Sequence, residues 1–70
     1  MTDRQILLLG KKIRKTRKEI GLSQEALAYE AGLDRAYVGK IERGEKNITV
    51  VKLLQLSDAL DVAMKDLIDF

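Results

Sequence analysis

The chain is 70 residues long, with no cysteine, no histidine and 13 Lys/Arg against 11 Asp/Glu. A chain this short buries only about 60% of its unfolded surface, enough for one domain, taken here as residues 1–70. Without cysteine there is no disulfide or thiolate metal site, and without histidine the usual proton shuttle and commonest metal ligand are gone, so an enzyme, a metal centre or a cofactor is not expected.

The N-terminal segment MTDRQILLLGKK carries an apolar run of four residues between charges, too short for a signal peptide or a membrane span, so a cytoplasmic location is expected. The first helix is read over Arg4 to Ile20, with Ile6, Leu9, Ile13 and Ile20 forming its inward stripe, and Gly21 ends it. Ser23 caps a second helix from Gln24 to Ala31, whose Leu27, Ala28 and Ala31 face inward. After Gly32 and Leu33, Asp34 caps a third helix from Arg35 to Arg43, with Val38 and Ile41 buried and Gly44 as the left-handed stop.

The segment GEKNI is a loop, and Thr49 caps a fourth helix from Val50 to Leu60 whose inward stripe is Leu53, Leu56 and Leu60. A short fifth helix is expected over Ala63 to Ile68. The fourth helix has more apolar surface than one core needs: Val50, Val51 and Leu54 lie off its stripe, and Met64, Leu67, Ile68 and Phe70 follow. These seven residues are expected to form a homodimer interface, the alternative being a fifth helix that folds back over the fourth within one chain.

From Gln24 to Arg43 two short helices are joined at a glycine, with a small residue, Ala28, where they cross and an apolar set that changes phase at the turn. That is a helix-turn-helix pattern, in which the second helix enters a DNA major groove. The charge agrees: residues 1–46 hold 11 Lys/Arg and 7 Asp/Glu, whereas residues 47–70 hold 2 and 4. The basic side points to a polyanionic partner.

The stretch LSQEALAYEAGLDRAYVGKIERGEKN resembles the DNA-binding domain of the Cro-like (XRE) repressor family over about Ile13 to Leu67, and its LAYEAGLDRAYVGKIERGEKN run looks most like the controller proteins of bacterial restriction–modification systems. The resemblance implies an all-α, five-helix, lambda-repressor-like domain acting as a dimeric transcription regulator on a palindromic DNA operator. For a controller protein it further implies activation and repression of its own operon, with RNA polymerase as a possible partner and no membrane or small-molecule substrate.

On the recognition helix the outward arc holds Arg35, Ala36, Gly39, Lys40 and Arg43. Arg35 is placed to bond guanine O6 and N7, Ala36 to meet a thymine methyl and Lys40 to reach a base or a phosphate. Tyr37, at the edge of the arc, fits either a base contact or a ring packed on the domain. Phosphate contacts are expected from Gln24 at the start of the second helix, from Arg43, and from Lys46 and Asn47 after the recognition helix. Asn47 also suits a plain turn residue; the resemblance favours DNA.

The run KKIRKTRK places Lys11, Arg14, Lys15 and Lys18 on a solvated face, with a general electrostatic role. Arg17 projects toward the buried side, and the resemblance implies a structural ion pair between Arg17 and Glu42. Three positions depart from the family pattern: Ile48 where proline is common, Asp61 where glycine often ends the fourth helix, and Ala63 where serine would cap the fifth. Two other functions compete: another small phage- or plasmid-type repressor, and an antitoxin-like module whose fourth and fifth helices grip a protein. A metal or catalytic use of Asp58, Asp61, Asp66 and Asp69 fits no EF-hand spacing.

Overall fold

A computed structural model describes every residue from Met1 to Phe70. Five helices follow one another: α1 (Asp3–Glu19), α2 (Gln24–Ala31), α3 (Arg35–Glu42), α4 (Val50–Leu60) and α5 (Met64–Leu67). Each of the first four begins at a side chain that satisfies an orphan amide. Thr2 and Gln5 form a reciprocal capping box, with the Gln5 amide donating to Thr2 Oγ1 at 3.1 Å and the Thr2 amide to Gln5 Oε1 at 3.0 Å. That box starts α1 one residue earlier than its apolar pattern suggests. Ser23, Asp34 and Thr49 cap α2, α3 and α4 at the positions expected of them.

One device ends the first four helices. At each C-terminus a left-handed residue lets two successive amides return to carbonyls of the last turn, as when Gly21 and Leu22 bond Lys18 and Arg17. Gly32 and Gly44 do the same after α2 and α3, and Asp61, at φ 56°, does it after α4 without being glycine. Asp tolerates this conformation better than most residues, so its departure from the family pattern leaves the corner intact. The alanine at 63 matters more: it makes no side-chain cap bond, and α5 shrinks to four residues.

The core is built from Leu9 and Ile13 of α1, Leu27, Ala28 and Ala31 of α2, Val38 and Ile41 of α3, Leu53, Leu56 and Leu60 of α4, and Leu67 of α5. Two expectations change here. Ile20 is 49% exposed, because α1 ends at Glu19 and the chain turns away before Ile20 can complete the stripe. Leu67, read from sequence as part of the dimer face, is fully buried within its own chain, because α5 packs back on both α4 and α1. Met64 is half-buried against the same core. The fold-back alternative is therefore realised for α5, yet Val50, Val51, Leu54, Ile68 and Phe70 stay exposed.

Gly10 is the glycine inside α1, at no turn. It lies buried mid-helix where α1 crosses the end of α3; a Cβ there would sit 2.8 Å from the Glu42 carbonyl oxygen and closer still to that of Ile41. Backbone cannot yield as a flexible side chain can. Gly10→Ala is expected to destabilise the fold by about 1–3 kcal/mol despite alanine's better helix propensity, read as a lower urea midpoint at unchanged m.

Candidate nucleic-acid interface

The α2–α3 corner is closed by Gly32, whose φ of 69° a β-carbon would make costly. The Leu33 amide returns to the Ala28 carbonyl at 2.8 Å, and the Ala36 amide donates to Asp34 Oδ1 at 2.9 Å. These bonds set where α3 restarts, while Val38 and Ile41 bury its inner side. Arg35, Ala36, Lys40 and Arg43 are left exposed on the outer side.

Beneath that surface lies a buried polar knot. Arg17 donates from Nε to Glu42 Oε2 at 2.6 Å and from Nη2 to Oε1 at 2.9 Å, a two-pronged pair between α1 and α3. Its remaining nitrogen, Nη1, donates to the Leu22 carbonyl at 2.9 Å, and Gln24 Nε2 donates to Glu42 Oε1 at 3.0 Å. The bonds it donates to Glu42 raise the guanidinium's already high pKa against the opposing effect of burial. No buried side-chain polar atom is left without a partner. Gln24 is thus tied to the recognition helix as well as opening α2, a link invisible in the residue pattern.

Tyr37 is half-buried against the core, and burial raises its phenol pKa. Lys52 Nζ lies 4.3 Å and Lys46 Nζ 5.8 Å from its ring centroid. Both distances suit cation–π attraction. Lys52 was not among the residues singled out by sequence; it reaches this ring only because the first turn of α4 comes to rest beside α3. Asn47 uses Oδ1 to accept the amide of Ile48 at 3.0 Å, a turn bond that leaves its amide nitrogen for another partner.

The two arginines of the arc meet carboxylates. Arg43 Nε donates to Glu45 Oε2 at 2.7 Å, and Arg35 Nη1 lies 3.7 Å from Glu25 Oε2. Gly39, read as an open stretch of the arc, is buried: a Cβ there would lie 3.1 Å from Arg43 Nη1 and 3.5 Å from Gln24 Oε1. No three His, Cys, Asp or Glu side chains converge as a metal site would require, and no helix is long and apolar enough to cross a membrane.

A glycine-bent helix pair carried on a five-helix core, with a cationic, small-residue face on its second helix, defines a helix-turn-helix DNA-binding domain. Residues 13–67 match the helix-turn-helix family model, and the chain belongs to that family alongside the control proteins of restriction–modification systems. Across its full length it is 44% identical to the control protein C.BamHI of Bacillus amyloliquefaciens, spanning 88% of that protein. It is 41% identical to the control protein C.MunI of a Mycoplasma species, with 83% of this chain and 80% of the relative covered. The crystal structure of the restriction–modification controller protein C.AhdI from Aeromonas hydrophila superposes with a TM-score of 0.90 at 44% identity, over 91% of this chain and 97% of that one. The controller protein C.Esp1396I, solved as a tetramer on its natural 35 base-pair operator, gives a TM-score of 0.81 at 37% identity, covering 84% and 78%.

The knot predicts an asymmetric response to mutation. Arg17→Met alone strands the Glu42 carboxylate and is expected to cost about 3–5 kcal/mol, whereas Arg17→Met with Glu42→Leu recovers much of that loss. Urea titrations of the two variants check this; equal destabilisation would mean the pair is not what links α1 to α3.

Proposed function

We propose that the protein is a homodimeric, sequence-specific transcription regulator that binds a roughly palindromic operator and controls a restriction–modification operon, its own gene included. The observation that carries this reading is the α2–α3 corner, in which a left-handed Gly32 and a buried Val38/Ile41 face project Arg35, Ala36 and Lys40 outward together. The operator-bound tetramer of C.Esp1396I supports the choice of ligand.

In this mechanism α3 lies in the major groove, with Arg35 on a guanine edge, Ala36 on a thymine methyl and Lys40 one turn further along. Tyr37 buttresses the helix from its edge and holds Lys46 and Lys52 near the DNA. Gln24, Arg43, Lys46 and Asn47 bind phosphates and so fix register without reading sequence. Two such domains need recognition helices about 34 Å apart on one DNA face.

Exposed apolar side chains of the C-terminal half supply the symmetric contact, Val50, Val51 and Leu54 on α4 and Ile68 and Phe70 at the C-terminus, with the half-buried Met64 at the rim. One occupied site beside the promoter lets the dimer touch RNA polymerase, and a further site lets it exclude the enzyme. Regulation then needs no catalysis, cofactor or small-molecule effector, and it operates in the cytoplasm, where the DNA is.

Removing Arg35 by Arg35→Ala is expected to cost ~1–3 kcal/mol on the natural operator and to relax base preference, while Lys46→Ala weakens operator and scrambled duplex alike and lowers the salt slope by about 1. Fluorescence anisotropy at several salt concentrations separates the two; equal losses on both duplexes for Arg35→Ala would remove it from the base readers. Val51→Glu should leave helical content intact while shifting the protein to monomer in sedimentation and weakening operator binding. A dimer that persists would move the interface elsewhere.

A further inference from the structure

The Arg43 side chain stays 55% exposed, yet it is turned back along its own helix. Its side chain folds back across the middle of the recognition helix, so that Nη1 would lie 3.1 Å from a β-carbon at Gly39, with Gln24 Oε1 closing the other side. Glu45 holds it there, accepting Nε at 2.7 Å on one carboxylate oxygen and Nη2 at 3.4 Å on the other. Glu45 is itself well placed to do so. Its amide donates to the Lys40 carbonyl at 2.9 Å, immediately after the left-handed turn at Gly44, which fixes the backbone of the loop against α3.

An exposed ion pair of this kind adds little to folding stability. Its consequence lies in the charge presented to DNA. Closed, the pair turns one of the interface's cations into a neutral group and covers the small-residue floor at Gly39. A carboxylate and a phosphate also compete for the same guanidinium fork.

Building on the proposed function, we propose that Glu45 is a specificity-determining residue: it keeps Arg43 folded over Gly39 on non-cognate DNA and yields it to a phosphate only when α3 is seated in the operator. Non-cognate binding is almost entirely phosphate attraction, made with the helix standing off from the bases, and a closed Arg43–Glu45 pair contributes nothing to it. Seating α3 in the operator groove brings DNA toward Gly39, where the folded guanidinium is in the way. Arg43 is then displaced while base-edge contacts form, and a phosphate replaces the carboxylate on its fork. The gain of that contact is thereby confined to the sequence that permits close approach.

The test compares wild type with Glu45→Gln on the natural operator and on a scrambled duplex of equal length, over a range of salt. Freeing Arg43 should add one phosphate contact on scrambled DNA only, steepening its log K against log salt slope by about 0.9 and tightening binding about threefold, with the operator slope unchanged. In an Arg43→Gln background the same Glu45→Gln change should have no effect on either duplex. Equal slope changes on both duplexes, or an effect that survives without Arg43, would overturn the proposal by reducing Glu45 to a general surface charge. In the free protein the Arg43 Nε–H resonance should move on Glu45→Gln; a resonance that stays put means no latch exists, whatever the DNA titrations give. Wild-type protein that ignored both duplexes would sink the proposed function and the latch with it, whereas operator binding with an unmoved specificity ratio in Glu45→Gln would sink the latch alone.

Discussion

The buried Arg17–Glu42 pair is the constraint on which the DNA-facing geometry depends. Burial of aliphatic surface is non-directional and by itself does less to forbid small slides of one helix over another. A guanidinium bonded through two nitrogens to one carboxylate does not tolerate them. Glu42 is the last residue of α3, Arg17 is near the end of α1, and the third guanidinium nitrogen holds the Leu22 carbonyl at the entry to α2. With Gln24 also bonded to Glu42, one carboxylate gathers α1, the α1–α2 turn, α2 and the recognition helix. Desolvating these charges is costly, and the return is positional accuracy in the helix pair rather than net stability.

Short helices with hard stops are the second requirement. Four left-handed residues along the chain, three glycines and one aspartate, fold the ends of α1 to α4 back on themselves, and the polar caps Ser23, Asp34 and Thr49 start α2, α3 and α4 within a few residues. The outcome is an α3 of eight residues, short enough to project from the core with one side buried and the other free. Glycine serves differently at position 10, where the absent side chain lets the backbones of α1 and α3 meet, and at position 39, where it leaves room for a guanidinium. The same residue type thus bends, crosses and uncovers in different places.

The electrostatics of the outer face are more balanced than a count of its cations implies. Arg35 and Arg43 each have a carboxylate nearby, and Lys46 and Lys52 gather around Tyr37. Surface pairs of this type add little to folding stability. A face assembled from them is not a fixed cationic plate: its effective charge depends on what approaches it, and this is the property a protein needs if it is to leave most of a chromosome unoccupied.

How far the residues alone disclose this can be traced position by position. Local chemistry set the limits of α2 and α4, since a capping side chain before and a turn-forming residue after are contained in a few neighbouring positions. The helix-turn-helix corner and its outward arc were legible for the same reason, and a family resemblance supplied the Arg17–Glu42 pair. Other features depend on how elements separated in sequence come to rest. Leu67 looked like interface and is core because α5 turns inward; Gly39 looked bare and lies beneath Arg43; Lys52 gained an aromatic partner from another helix; Gly10 showed no purpose until α3 was laid across it. Sequence by itself determined the order of the elements, the caps at Ser23, Asp34 and Thr49 and the polarity of most faces, because those follow from interactions within a turn or two of the chain. Tertiary structure alone decided which apolar residues stay exposed and which cations meet a carboxylate or an aromatic ring, because burial and pairing are settled by neighbours from other elements of the chain.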